Sequence, residues 1–276
     1  MKSRGFVIFA EGEEYFRQAY LAGLSIQAAG NKYPVSVITN CVSDNKHREI
    51  FDKIIEIPWY KQDNTLLKTE NRWKVYHATP YDETIVLDSD VLVLQDLEYF
   101  WNSVKNYNLY FPTRVFTYRK ELIETDFYRK AFIANDLPNF YNVLHYFKKC
   151  NWTKQFYEWV EIVNNNWELF YGNFCKEHYS KHPSMDITTA IVSKILDCDR
   201  EISNQKQNMP EIVHMKPRAQ QWRNPKSRWQ DKVGVYLDEN LQLKIGNHRQ
   251  DTVFHYTENN FATDDIIRKY EKCLKL

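Results

Sequence analysis

Asp88 and Asp90 are the two side chains whose type and spacing point most directly to chemistry. They interrupt an apolar run from Thr84 to Leu94. The run is short and rich in β-branched and aliphatic residues, so it reads as one strand buried on both faces. Charge at the end of such a strand is costly unless it is paired or bound to a metal. Residues two apart in an extended chain share a side, so both carboxylates can aim at one point past the strand's carboxyl end, where open α/β sheets bind ligands. A pair of this kind suits a hard divalent cation, Mn²⁺ or Mg²⁺, that also holds a phosphate. The plainer alternative for a bare Asp-x-Asp is one carboxylate capping the next element and the other in solvent.

Other residues of interest lie downstream. Glu211 to His214 reads as a short strand ending in histidine, followed by Lys216-Pro217, and Thr252 to His255 reads as a second one. Asp186 stands at the start of a helix from Ser184 to about Asp197, where a carboxylate is ordinarily a cap.

The elements that must position these groups alternate. Gly5 to Ala10 reads as a strand, Glu13 to Ala29 as a helix stopped by Gly30, and Pro34 to Thr39 as a second strand. A short helix capped by Ser43 leads to a third strand at Ile54 to Ile57, and Lys68 to Ala78 reads as a helix. This alternation predicts an α/β fold with a mostly parallel sheet and helices on both faces. From Tyr118 to Tyr179 the chain is dense in Phe, Tyr, Trp and Lys and poor in sheet signals, which predicts a helical insertion over the site. Val233 to Leu237 and Leu241 to Ile245 form a predicted hairpin, and Thr263 caps a last helix. The first βα turn, Ala10-Glu11-Gly12-Glu13, has no Gly-x-Gly-x-x-Gly pattern, so a bound nucleotide would not rest in a glycine-rich cradle.

Length and charge narrow the field. The 276 residues suit a single large domain, and the net charge of +1 removes the broad basic field that nucleic acid requires. The five cysteines are scattered and form no Cys-x-x-Cys pair, so a reducing compartment, the cytoplasm, is expected. No apolar stretch approaches a membrane span, and the N-terminal one is too short for a signal-peptide core. The aromatic share of 16% can fill cores or line a site for nucleobases and sugar rings.

Ala10 with Tyr15 after the first strand, Arg72 on a following helix, and the stretch Pro80 to Val93 around Asp88-Ser89-Asp90 together resemble family 8 of the GT-A glycosyltransferases. That retaining group includes glycogenin and bacterial lipopolysaccharide galactosyl- and glucosyltransferases. The resemblance is dense over roughly the first hundred residues and thin beyond. It implies a GT-A fold in which Asp88 and Asp90 hold Mn²⁺ (or Mg²⁺) against the diphosphate of a UDP-sugar donor. Ala10 and Tyr15 would lie on the uridine side and Arg72 at the donor, with Glu11 and Ser89 as further substrate-binding residues. Residues 1–117 would form the nucleotide-sugar half of the 1–276 domain, and 118–276 the half that receives a glycan or other hydroxyl acceptor. Phe140-Tyr141-Asn142-Val143 resembles the family's Phe-Asn-Ser-Gly segment, placing Asn142 in the site. Asp186 matches the Asp of an Asp-Gln pair that orients the donor sugar, with Ile187 replacing the Gln. The family's late His-x-x-Gly-x-x-Lys-Pro-Trp motif is broken here. His255 and His214 both compete for the third metal position, and Lys216 is a candidate diphosphate contact. Tyr141, His145, Trp152 and Trp159 would line the acceptor side.

Two other classes compete. Leu87-Asp88-Ser89-Asp90-Val91 also fits the haloacid-dehalogenase phosphatase motif, although that motif normally ends the first strand of its sheet and here ends the fourth. A non-catalytic sugar-nucleotide-binding protein would also account for the broken late motif.

Overall fold

The computed structural model describes residues 3–62, 68–123, 129–177, 183–203, 210–222 and 226–276. In chain order the elements are β1 (Arg4–Ala10), α1 (Glu13–Ala28), β2 (Val35–Thr39), α2 (Asn45–Ile50), β3 (Lys53–Glu56), α3 (Val75–Ala78), β4 (Glu83–Leu87), β5 (Val91–Val93), α4 (Glu98–Val104), β6 (Leu109–Tyr110), α5 (Lys130–Ala134), β7 (Leu144–Lys148), α6 (Asn151–Asn165), α7 (Trp167–Phe174), α8 (Met185–Ile195), β8 (Ile212–His214), β9 (Val235–Leu237), β10 (Leu243–Ile245), β11 (His248–Gln250), β12 (Val253–His255) and α9 (Asp264–Leu274).

A six-stranded sheet in the order β3-β2-β1-β4-β7-β6 forms the centre. β1 to β4 run parallel and β7 runs antiparallel to both its neighbours. The inner strands read as unbroken apolar runs because both faces are covered. Their side chains alternate between two cores. Phe6, Ile8, Val37, Ile85 and Leu87 pack into one with residues of α1, α4 and α9. Val7, Phe9, Ile38 and Val86 pack into the other with residues of α3, α6, α7 and α8. The layering is therefore helix, sheet, helix, as the alternation of elements predicts.

A second sheet of three strands, β5-β12-β8, and a third, β11-β10-β9, complete the fold. The predicted single strand from Thr84 to Leu94 is in fact two strands in different sheets. β4 ends at Leu87 in the central sheet, and β5 begins at Val91 in the second. The carboxylates force this break: the chain leaves the sheet for three residues so that Asp88 and Asp90 reach a cleft instead of a dry core.

Other expectations shift as well. The aromatic segment is not purely helical, since β7 lies inside it and pairs with β4 at the centre of the main sheet. The helix expected at Lys68 to Ala78 is a 3₁₀ turn, Arg72–Lys74, running into α3. The cap of α2 is Asp44, not Ser43, with its carboxylate accepting from the His47 backbone N–H. The hairpin β9–β10 and the Thr263 cap of α9 stand where the sequence puts them.

Gly5 in β1 shows how tightly the sheet is covered. A Cβ there would lie 2.3 Å from the Tyr81 ring. That ring is buried, and its hydroxyl lies 2.6 Å from Ser36 Oγ and 3.3 Å from Asp52 Oδ2, so it has no free direction in which to retreat. Gly5→Ala is expected to lose ~1–3 kcal/mol through overpacking. Urea unfolding should show it as a lower midpoint with unchanged slope.

Candidate active site

The cleft opens at the carboxyl ends of β1 and β4, where a parallel sheet presents its loops. Its walls include Glu11, Tyr15, Arg72, Asp88, Ser89, Asp90, Asn142, Asp186, Lys216, His214 and His255. These are the site residues expected from the sequence, with the exception of Ala10. Ala10 is fully buried at the end of β1 and does not line the cleft with its side chain.

The junction between the two sheets is pinned on both sides. The Asp88 N–H donates to Val143 O at 2.9 Å, and the Tyr256 N–H donates to Asp90 O at 3.1 Å. Between them Ser89 Oγ donates to Gln18 Oε1 at 3.2 Å, and Gln18 Nε2 donates to Asn259 Oδ1 at 3.0 Å. Gln18 is a fully buried amide on the largely apolar inner side of α1. Its place in a buried stripe was the one sequence signal that could have marked it.

The side chains of Asp88, Asp90 and His255 converge. One ligand atom from each lies within 4.8 Å of the other two. Two carboxylate oxygens and an imidazole nitrogen are a donor set that could hold a divalent cation. Asp90 Oδ2 lies 3.0 Å from His255 Nε2, and Asp88 Oδ1 accepts from Arg72 Nη2. Burial pushes the Asp90 carboxyl up, but His255 and Arg72 outweigh it, so the group titrates below the usual carboxylate range. Both of the competing histidines reach this place. β8 and β12 pair in parallel with His214 opposite His255, and the two Nδ1 atoms are 2.9 Å apart. Burial holds His214 well below its ordinary pKa, with His255, Lys216 and Arg129 adding to the effect.

Asp186 is not a helix cap. Its Oδ1 accepts from the Asn142 backbone N–H at 2.8 Å and lies 3.3 Å from Asn142 Nδ2; its Oδ2 accepts from Arg129 Nη1 at 3.0 Å. Burial pushes the Asp186 carboxyl up, and Arg129, the Asn142 N–H and Lys216 together pull it below its usual value. Arg129 is itself held between the rings of Phe132 and Tyr141, 3.9 and 4.0 Å from their centroids. It was missed in the sequence because it lies far from any motif.

On the opposite wall Glu11 accepts from Asn71 Nδ2 at 2.9 Å and from the Tyr60 hydroxyl at 3.3 Å. Lys74 Nζ donates to Asn71 Oδ1 at 2.6 Å and so braces the same corner. Of the four aromatic residues expected on the acceptor side, Tyr141 lines this cleft. His145 instead belongs to the core. It stacks on Phe111, its Nε2 lies 2.8 Å from the Tyr157 hydroxyl, and burial pushes its pKa down to about 3. Trp152 and Trp159 pack half-buried against the second core, next to Phe156 and Phe170.

No family model and no curated protein matches the sequence. Solved structures do match the fold. The galactosyltransferase LgtC, crystallised with donor and acceptor sugar analogues, aligns over 99% of this chain and 96% of its own, at 14% identity and a TM-score of 0.55. The chain has the GT-A glycosyltransferase fold. The glycosyltransferase GlyE of Streptococcus pneumoniae TIGR4 aligns over the whole chain at 13% identity and a TM-score of 0.54, and this chain spans 61% of its length. Mouse xyloside xylosyltransferase 1 aligns over 93% of this chain and 98% of its own, at 9% identity and a TM-score of 0.52. At these identities the likeness is one of fold.

The Asp186 pairing has a measurable consequence. Arg129→Met leaves a carboxylate without its main counter-charge. Asp186 keeps 29% of its side chain exposed, so the expected loss is ~1–3 kcal/mol, less than for a fully buried pair. Asp186 titrates lower folded than unfolded, so its contribution is complete above the unfolded value of about 4 and fades as pH falls through the folded one. Urea unfolding should therefore show the full gap between variant and wild type at neutral pH, narrowing below about pH 4.

Proposed function

We propose that this chain is a metal-dependent glycosyltransferase. It moves a hexose, glucose or galactose, from a UDP-sugar to a hydroxyl of a glycan or other acceptor, with retention of configuration. The observation that carries the reading is the convergence of Asp88, Asp90 and His255 in a cleft of a GT-A fold, with Arg72, Lys216 and Asp186 on its walls.

The chemistry assigns each group a task. A diphosphate leaving group gains negative charge as its bond to the anomeric carbon breaks. Asp88, Asp90 and His255 would hold Mn²⁺ or Mg²⁺, which supplies Lewis-acid stabilisation of that charge. Arg72 and Lys216 add fixed cations for the same oxygens. The sugar passes through an oxocarbenium-like state, and Asp186, ionised by its contacts with Arg129 and Asn142, is the carboxylate available to its positive charge or to its hydroxyls. Ile187 supplies no amide beside Asp186, but Asn142 Nδ2, 3.3 Å from Asp186 Oδ1, does. Tyr15 and the braced Glu11 corner would receive the uridine, and Tyr141 the acceptor. Among the described residues, no helix is long and apolar enough to cross a membrane. The five cysteines are free, which supports a reducing compartment, the cytoplasm.

The test is a panel of nucleotide sugars with Mn²⁺, scored by UDP release, on the wild type and Asp90→Asn. The expected result is release from a UDP-hexose that falls ~10²-fold or more in the variant, the scale of losing several kcal/mol of charge stabilisation. Chelation by EDTA should abolish it and added Mn²⁺ restore it. Equal release from both proteins would remove the metal-site reading. Turnover of an aryl phosphate would favour a phosphatase, and metal-dependent UDP binding with no turnover a binding protein.

A further inference from the structure

His214 and His255 share one face of the second sheet because β8 and β12 run parallel in register. Their rings meet Nδ1 to Nδ1 at 2.9 Å. The other ring nitrogen of His255, Nε2, faces Asp90 Oδ2 at 3.0 Å. The nitrogen turned toward the acid pair is therefore Nε2, and the nitrogen turned away from it is met by His214. A single cation beside Asp90 and His255 Nε2 has His255's ring between itself and His214 Nδ1, so His214 does not share that ion through the same nitrogen.

Two nitrogens at this distance are joined by one proton, with one donating and the other accepting. Imidazole ligates a metal through a lone pair, so ligation through Nε2 requires His255 to carry its proton on Nδ1. That proton points at His214. We propose that His214 is a positioning residue: it accepts the Nδ1–H of His255 and so fixes a proton on that side of the ring, leaving Nε2 as the nitrogen that ligates when a cation takes its place between Nε2 and Asp90, and it stays outside the coordination shell. The inference rests on the metal-site reading above. His214 is suited to the task because it is immobile. Its ring is buried, Tyr141 meets it edge-on with centroids 5.9 Å apart, and Gln220 Nε2 donates to its carbonyl at 2.7 Å.

The test uses Mn²⁺ alone, titrated into the protein and followed by EPR, with no donor or acceptor present. His214→Phe keeps a ring of similar size and removes the acceptor, whereas His214→Gln offers an amide oxygen in its place. His214→Phe should weaken Mn²⁺ binding ~10–100-fold, and His214→Gln should stay within about threefold of the wild type. In the wild type loaded with Mg²⁺, ¹⁵N NMR should show His255 protonated at Nδ1. Unchanged Mn²⁺ affinity in His214→Phe, equal weakening in both variants, or a His255 protonated at Nε2 in the Mg²⁺-loaded protein would each overturn the proposal. The NMR arm needs no variant to fold. Absence of Mn²⁺ binding by the wild type would instead remove the metal site itself, and this role with it.

Discussion

The structure depends on a three-residue break in a strand. Asp88, Ser89 and Asp90 join the central sheet to the second one, and the contacts that fix them come from distant parts of the chain. Val143 holds one end, Tyr256 the other and Gln18 the middle. An unbroken strand would have buried two carboxylates in an apolar core, at a cost that no neighbouring group there could offset. By changing sheets at this point the chain keeps the apolar halves of the run dry and brings the acidic residues to the rim.

The same constraint governs the other charges in the cleft. Asp186 sits against Arg129 and Asn142, Asp88 against Arg72, Asp90 against His255, and Glu11 against Asn71 and Tyr60. Each acid is thus matched before any ligand arrives. On the proposed reading, a divalent cation and a diphosphate would bring charges of opposite sign, so they would enter together and exchange partners with Arg72, Lys216 and the acid pair without stranding a bare charge. Preset dipoles of this kind lower the reorganisation that charge separation would otherwise require.

Much of this was legible in the residues. The alternation of apolar and turn residues over the first hundred positions was enough for a parallel sheet, because a strand covered on both faces must be apolar throughout. The acid pair was legible for the opposite reason: it violates that pattern. The two strand-end histidines could be found but not ranked, since their registration depends on a pairing between β8 and β12 that no local signal encodes. The same is true of β7, hidden in an aromatic segment whose inward residues read equally well as helix or strand, and of Arg129, whose meaning comes only from the two rings around it. His145 misled because an aromatic neighbourhood looks alike from within a core and from the wall of a binding cleft.

The distance in sequence between the partners at the junction bears on how the molecule comes into being. Asp90 and His255 are 165 residues apart, and β5 has its strand partner in β12, far downstream. On a ribosome, the first four parallel strands can begin to associate long before either histidine has been synthesised. Until then the acidic pair stays solvated at an unfinished edge, and β5 waits unpaired, exposed to wrong partners. Closure of the second sheet therefore needs the C-terminal strands, and the strand that covers that edge is the one that carries His255 into the cleft.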